Sequence, residues 1–156
     1  TRIQVEHPVT ECVTGIDLIK EQIRIAAGKK LSYRQQDVRI GGHAIECRIN
    51  AENPKEQFRP SPGLITDVYF PGGKGVRIDT AVYNGYEVPA YYDSMLAKLI
   101  VHAKTRKEAI SKMRSALGEV IIEGVDTNVD YQYEIMNHPD YQAGNVDIEF
   151  ISEKMC

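Results

Sequence analysis

Proline and glycine divide the middle of this 156-residue chain into short segments. Turn-forming runs stand at Gly41–Gly42, Pro60–Gly63 and Pro71–Gly73. After the first of them, polar and apolar residues alternate from 43 to 50 with the side-chain period of a half-buried strand. Closely spaced strands with turn signals between them favour antiparallel pairing. The pattern predicts an antiparallel sheet or partial barrel, with strands at 43–50, 64–70, 75–79, 86–88 and 95–102.

Helices are predicted on both sides of this sheet in the sequence. Before it, Thr14 and Asp17 form a weak capping box and Gly28 is a natural stop. After it, Thr105 and Glu108 form a capping box that opens an amphipathic pattern. The predicted fold class is therefore α+β. Apolar residues of the first helix recur at helical spacing, and we interpret them as a face packed in the core: Ile16, Ile19, Ile23 and Ala27.

Composition excludes several classes of protein. With 42% hydrophobic residues the chain can bury a core without disulfides or metal. Cys12, Cys47 and Cys156 form no C-x-x-C pair, and their odd number argues against a secreted disulfide framework. The sequence contains no membrane-length apolar run, no signal peptide and no Lys- or Arg-rich run. We therefore expect a cytoplasmic protein with no membrane and no nucleic-acid partner.

The alternation at the start of the chain predicts a strand with one chemically active face. Arg2, Gln4 and Glu6 would project from this face about 7 Å apart. A guanidinium can hold a small planar oxyanion with two hydrogen bonds, and an adjacent carboxylate can act as a general base. A solvated ion pair between Arg2 and Glu6 explains the same pattern. From composition alone, that structural explanation is favoured.

Arg48 presents a second guanidinium, on the predicted strand 43–50, and shares a face with Glu46. A fixed guanidinium can stabilise an oxyanion that develops in a transition state. An exposed ion pair between Arg48 and Glu46 would have the same spacing. Two such strand faces could converge on one anionic site, although patterning does not show that they meet. The histidines and cysteines lack metal-ligand spacing, so no metal site is predicted on this chain.

Five blocks of this sequence resemble the biotin carboxylase family. The first two, TRIQVEHPVTE and GHAIECRINAE, are long and specific, and the blocks together cover essentially the whole chain. The bacterial acetyl-CoA carboxylase type is the most similar, while propionyl-CoA, methylcrotonyl-CoA and pyruvate carboxylases stay open. The blocks are 1–11, 42–52, 60–63, 92–100 and 124–128.

The resemblance implies a reaction and a set of residue roles. Biotin carboxylases use MgATP to activate bicarbonate as carboxyphosphate, and then carboxylate biotin carried on a partner protein. The match implies that Arg2, Gln4 and the main chain of Val5 bind bicarbonate, and that Glu6 deprotonates it. It also implies that Arg48 binds biotin and stabilises its enolate-like oxyanion.

The resemblance assigns further positions outside these two strands. Ile148 would contact the adenine of a bound nucleotide, although Glu149 beside it replaces a histidine expected in well-known bacterial members. The region around Arg77 and Asp93 is similar to the family's homodimer surface. Lys74 stands there in place of a common aromatic residue.

The resemblance also implies a domain organisation. Residues 1–37 would end an ATP-grasp region, and residues 38–156 would form the biotin carboxylase C-terminal domain. The family's nucleotide-binding lysines, glycine-rich lid and metal-binding glutamates would precede Thr1. The ligands of Mg²⁺ or Mn²⁺ and of the ATP phosphates would therefore lie outside this chain. We interpret the chain as the C-terminal portion of an ATP-grasp enzyme, a fragment without ATP turnover of its own.

The expected partners are a biotin carboxyl carrier protein, a carboxyltransferase component and a second copy of the chain. The activity would be the first half-reaction of acetyl-CoA carboxylase, in fatty acid synthesis. Two alternatives remain at this point. The chain could be a structural or dimerisation module of another biotin-dependent carboxylase, or a non-catalytic domain that binds a small anion or nucleotide.

Overall fold

The computed structural model describes residues 2–155. Thr1, where the first family block begins, and Cys156, the third cysteine, lie outside the described residues. The helices are α1 (His7–Thr14), α2 (Leu18–Ala26), α3 (Arg106–Glu119), α4 (Val129–Asn137), α5 (Pro139–Ala143) and α6 (Phe150–Lys154). The strands are β1 (His43–Asn50), β2 (Glu52–Asn53), β3 (Arg59–Pro60), β4 (Gly63–Leu64), β5 (Asp67–Tyr69), β6 (Val76–Thr80), β7 (Glu87–Val88), β8 (Met95–Ala103) and β9 (Ile121–Glu123).

The predicted antiparallel sheet is confirmed. Its main part has three strands in the order β1–β8–β6, and both neighbours of β8 run antiparallel to it. The other described strands form the pairs β2–β3, β4–β7 and β5–β9. Over residues 2–155 the strands therefore form one three-stranded sheet and three two-stranded antiparallel pairs, and not a closed barrel.

The core lies between one face of the three-stranded sheet and the helices α3 and α4. Ile45, Cys47 and Ile49 alternate with more exposed residues along β1, as the sequence pattern predicted. Burial raises the pKa of the Cys47 thiol to about 12. The sheet contributes its apolar side chains to the same core as the buried residues of α3, which include Met113 and Leu117.

The predicted capping box of α3 is also confirmed. Thr105 Oγ1 accepts a hydrogen bond from the Glu108 amide at 3.3 Å, and Glu108 Oε2 accepts one from the Thr105 amide at 3.1 Å. Each side chain satisfies a backbone N–H that the first helical turn leaves without an intrahelical partner.

The first helical region differs from the prediction in two ways. α1 ends at Thr14, and Asp17 rather than Thr14 caps α2, accepting a hydrogen bond from the Lys20 amide at 2.8 Å. The apolar stripe of α2 is not core packing, since Ile19 is 39% exposed and Ile23 is 66% exposed. Periodicity identifies an apolar face, but it does not show whether anything in the chain covers that face.

Two predicted strands also need correction. The segment 64–70 is divided between β4 and β5, which pair with different partners. Residues 2–6 form no strand, because no described strand pairs with them. The helix α1 begins directly after them at His7, with Pro8 in its first turn. Among the helices of residues 2–155, none combines the length and apolar composition that crossing a membrane requires.

Candidate active site

The sheet face that points away from the core carries a row of three charged residues. Arg48 of β1 lies opposite Lys98 of β8, which lies opposite Asp79 of β6. Lys98 Nζ is 3.3 Å from Asp79 Oδ2, and the Lys98 side chain is only 11% exposed. Two neighbouring cations on a sheet are unfavourable unless an anion compensates for them. Asp79 provides that compensation from the adjoining strand.

Arg77 connects the same sheet face to α1. Its Nη1 donates to Glu11 Oε2 at 2.6 Å, and its Nε donates to Asp79 Oδ1 at 2.7 Å. Burial raises the pKa of Asp79, but hydrogen bonds and charges from Arg77 and Lys98 outweigh it, so this pKa lies below its ordinary value. The hydrogen bond with Asp79 is the main cause that raises the pKa of Arg77. Both shifts favour the ionised forms, so Arg77 and Asp79 form a charged pair at neutral pH.

Glu46 lies on this face beside the amino-terminal segment. Its Oε2 is buried and has no hydrogen-bond partner among residues 2–155. Burial raises the pKa of Glu46, while the charges of Lys98 and His7 lower it and that of Glu6 raises it. The interactions with Glu6 and His7 place the start of the chain within electrostatic range of β1.

The amino-terminal segment keeps the predicted alternation although it forms no strand. Arg2, Gln4 and Glu6 are exposed, whereas Val5 is half-buried. Lys98 Nζ donates to the Val5 carbonyl oxygen at 3.2 Å, which attaches the segment to the sheet. Arg2 Nη1 donates to Gln4 Oε1 at 3.1 Å. The face that the sequence predicted to carry chemistry is thus open to solvent.

Arg48 pairs with Asp93, and not with Glu46 as the alternative interpretation proposed. Arg48 Nη2 lies 2.6 Å from Asp93 Oδ1 and 2.7 Å from Oδ2. Hydrogen bonding from Arg48 is the main cause that lowers the pKa of Asp93. The Nε of Arg48 is buried and has no partner within the described part of the chain. Asp93, predicted at a dimer surface, therefore contacts the residue predicted to bind biotin.

Asn128 holds the backbone on which Arg48 stands. The register between β1 and β8 shifts between Ile49 and Asn50, which interrupts the ladder. β1 is an edge strand of its sheet, and the Asn128 side chain bonds its backbone: the Oδ1 accepts from the Asn50 amide at 2.9 Å and the Nδ2 donates to the Arg48 carbonyl at 3.1 Å. Asn128 is 5% exposed. A buried side-chain amide thus satisfies backbone groups that would otherwise cost free energy.

The structure brings some of the predicted residues together and leaves one apart. Val5 and Glu6 lie on the same sheet face as Arg48. Ile148 is 94% exposed, and Phe150, two residues later, packs in the core on the other side of the sheet. Among the described contacts, none joins Arg2 to Arg48. Their convergence on one ligand therefore stays a prediction.

Two residues that organise this face, Lys98 and Asn128, were not predicted from the sequence. Lys98 interrupts an apolar run, LAKLIV, in the middle of a strand, and a charge at such a position signals a specific partner. Asn128 is the last residue of the block GVDTN. Its bonds to the β1 backbone are long-range contacts, so spacing could not indicate them.

The described residues fit an anion better than a metal ion. Within residues 2–155, no group of three or more His, Cys, Asp or Glu side chains is arranged to hold a metal. That the ligands of Mg²⁺ or Mn²⁺ lie outside this chain stays a prediction. The exposed guanidinium of Arg2 and the partly exposed guanidinium of Arg48 are instead donors suited to oxyanions. A separate cleft near Lys74 and Lys112 contains none of the predicted site residues.

The sequence was compared with known families and proteins. Residues 46–153 match the family described as Biotin carboxylase C-terminal domain, and residues 1–34 match Carbamoyl-phosphate synthase L chain, ATP binding domain. The biotin carboxylase of Allochromatium vinosum is 57% identical over 99% of this chain, and 34% of its own length is covered. A pyruvate carboxylase subunit from Methanothermobacter thermautotrophicus is 54% identical over 98% of this chain and is covered over 31%.

Solved structures are similar as well. The biotin carboxylase domain dimer of Hydrogenobacter thermophilus 2-oxoglutarate carboxylase, in complex with MgADP, ADP and bicarbonate, has a TM-score of 0.96 and is 51% identical, with 98% of this chain and 34% of that chain covered. This chain thus spans about a third of the length of the relatives it matches. The family match over more than half of the chain leads to one conclusion: the chain belongs to the biotin carboxylase family.

Proposed function

We propose that this chain supplies the bicarbonate- and biotin-binding half of a biotin carboxylase active site. One observation supports the proposal above all others: the segment that contains Glu6 lies on the sheet face that carries Arg48, attached there through Lys98 and Val5. In this proposal, residues 1–37 end the ATP-grasp region and residues 38–156 form the C-terminal domain.

The first chemical step takes place at the amino-terminal segment. Arg2, Gln4 and the main chain of Val5 bind bicarbonate, whose planar form suits the guanidinium of Arg2. Glu6 accepts the bicarbonate proton, so that a carbonate oxygen can attack the γ-phosphorus of ATP while ADP leaves. The product is carboxyphosphate. ATP and its metal supply the phosphoryl group and its charge compensation when they are bound, and Ile148 contributes an apolar contact to adenine.

The second step uses Arg48. Carboxyphosphate breaks its carbon–oxygen bond to phosphate, the departing phosphate takes the proton of the biotin ureido nitrogen, and that nitrogen bonds to the released carboxyl carbon. While the nitrogen is deprotonated, negative charge develops on the ureido oxygen. Arg48 stabilises that charge more than the neutral ground state, which lowers the barrier. Asp93 holds one end of the guanidinium, and the Arg48 side chain is 39% exposed, which supports the assignment because a ligand can reach it.

The proposed partners follow from the same reaction. Biotin arrives on a biotin carboxyl carrier protein, and a carboxyltransferase component passes the carboxyl group to the final acceptor. We propose a cytoplasmic homodimer of the acetyl-CoA carboxylase type, active in fatty acid synthesis, with Arg77 and Asp93 near the dimer surface. The similarity to pyruvate and 2-oxoglutarate carboxylases supports an alternative in which the final acceptor is a keto acid.

Two substitutions in the full-length carboxylase test these roles. Arg48→Ala should reduce biotin carboxylation by about a thousandfold and leave bicarbonate-dependent ATP cleavage largely intact. Glu6→Gln should suppress both steps, because the base acts before carboxyphosphate forms. Arg34→Ala, on an exposed ion pair, is the matched control. Equal loss of both activities in Arg48→Ala would show that its assigned role is wrong. The isolated 156-residue chain should cleave no ATP.

A further inference from the structure

We infer that Lys98 is a positioning residue, which holds the bicarbonate-binding segment over the sheet through the carbonyl of Val5. The inference rests on the proposed function and extends it to a residue that does not touch bicarbonate itself. It assigns a purpose to a charge that the fold alone does not require.

Lys98 occupies a nearly buried position in β8. The residue is 9% exposed, and its strand neighbours Ala97 and Leu99 are buried in the core on the other face. A buried ammonium costs free energy unless it is paired and hydrogen-bonded, and an apolar side chain of similar volume is often at least as stabilising. The charge at position 98 is therefore explained by what its tip contacts.

The ammonium group of Lys98 contacts both the amino-terminal segment and Asp79. Lys98 Nζ donates to the Val5 carbonyl at 3.2 Å and lies 3.3 Å from Asp79 Oδ2. Within residues 2–155 no strand pairs with the amino-terminal segment. The hydrogen bond from Lys98 therefore performs the task that a sheet ladder performs elsewhere. It fixes the peptide group between Val5 and Glu6, and with it the direction in which the Glu6 carboxylate leaves the backbone.

Charged and titratable side chains from three neighbouring elements surround Lys98 and Glu46. They are Glu46 and Arg48 on β1, Asp79 on β6, and Glu6 and His7 at the start of α1. Arg48 stands directly opposite Lys98 but is held by Asp93. Loss of Lys98 should therefore disturb the bicarbonate segment more than the biotin residue.

The test uses the full-length carboxylase with Lys98→Met, which keeps the side-chain volume and removes the donor. The KM for bicarbonate in ATP cleavage should rise about tenfold, whereas the KM for ATP should change less than about twofold. Amide hydrogen exchange in the peptide covering residues 2–9 should be at least about fivefold faster without any ligand. Lys112→Met is the matched control, because Lys112 Nζ also donates to backbone carbonyls but not to this segment.

A second variant keeps the test decisive if Lys98→Met does not fold. Lys98→Gln retains a donor without the charge, and it should raise the bicarbonate KM only about threefold. An unchanged KM and unchanged exchange in either variant would overturn the inference, as would a loss of kcat alone. If the unmodified enzyme shows no bicarbonate-dependent ATP cleavage, the proposed function fails, whereas the exchange measurement still decides whether Lys98 holds the segment.

Discussion

The two faces of the three-stranded sheet are built on different principles. On one face, Leu99 and its neighbours pack against α3 in a core where volume and hydrophobicity are sufficient. On the other face, one residue earlier in the same strand, Lys98 needs particular partners at particular distances. The apolar face stabilises the fold, and the charged face positions the residues proposed to act on bicarbonate and biotin. Substitutions on the two faces should therefore change the free energy of unfolding by different amounts, in different directions and with a different dependence on pH.

The largest effect is expected on the apolar face. Leu99→Ala removes a fully buried side chain and should lower the free energy of unfolding by about 3 kcal/mol, through lost burial and the cavity left behind. Urea unfolding followed by circular dichroism measures it. Leu64→Ala, at a leucine that is 55% exposed, is the control and should change little. A similar loss in both variants would remove the distinction between the faces.

Arg77→Met tests the charged face. Glu11 would lose its cation and Asp79 would keep only Lys98, so the free energy of unfolding should fall by roughly 1–2 kcal/mol, a value limited by solvent screening of a half-exposed side chain. The pKa of Asp79 is lowered in the folded protein, so its contribution is present above the ordinary carboxyl pKa and is lost as the pH falls through the folded value.

The difference between Arg77→Met and the unmodified chain should therefore shrink as the pH is lowered from about 5 to about 2. Urea unfolding across this range measures the change. Arg59→Met, on the exposed ion pair with Glu56, is the control and should change the free energy of unfolding little at any pH in this range. A destabilisation by Arg77→Met that persists unchanged at low pH would mean that packing, rather than charge, accounts for the role of Arg77.

Glu46→Gln should raise the free energy of unfolding, in contrast to Arg77→Met, which should lower it. Because burial raises the pKa of Glu46, its ionised form destabilises the folded state, and this cost is absent below the unfolded pKa and complete above the folded one. At neutral pH the amide should raise the free energy of unfolding by roughly 1 kcal/mol, a small value because the side chain is partly exposed to solvent. Below about pH 4 the substitution should not change the free energy of unfolding. Destabilisation at neutral pH would show that Glu46 has a cationic partner.

The smallest effect is expected on α2. Ile23→Gln replaces an exposed isoleucine by another good helix former and should change the free energy of unfolding by less than about 0.5 kcal/mol. Ile110→Gln, at an isoleucine that is 5% exposed on α3, is the matched control and should be strongly destabilising. A large effect of Ile23→Gln in this chain would support the interpretation of the stripe as core packing.

The sheet and α3 could be predicted from the sequence because the patterns that identify them involve residues close together in the chain. The alternation of β1 and the capping box of Thr105 and Glu108 depend on residues a few positions apart. The segment from Arg2 to Glu6 has the same alternation, yet it forms no strand because a strand also needs a neighbour to pair with. The stripe around Ile23 was misinterpreted for a related reason, since a helical period does not identify what covers it.

The candidate site was predictable in its residue types but not in its connections. Family resemblance singled out Glu6 and Arg48, and alternation placed Arg2, Gln4 and Glu6 on an exposed face. Pairing of Arg48 with Asp93 spans 45 residues, and no local period carries that information. The bond from Lys98 to Val5 spans 93 residues, so only the folded chain makes it visible.

The amide of Asn128 has a consequence for the order in which the protein matures. Its bond to the Arg48 carbonyl joins residues separated by 80 positions. During synthesis from the amino terminus, Arg48 is made long before the side chain that completes its backbone. A nascent chain that stops short of Asn128 therefore lacks the side chain that bonds the backbone of β1, and the guanidinium proposed to bind biotin gains this support only after residue 128 has been made.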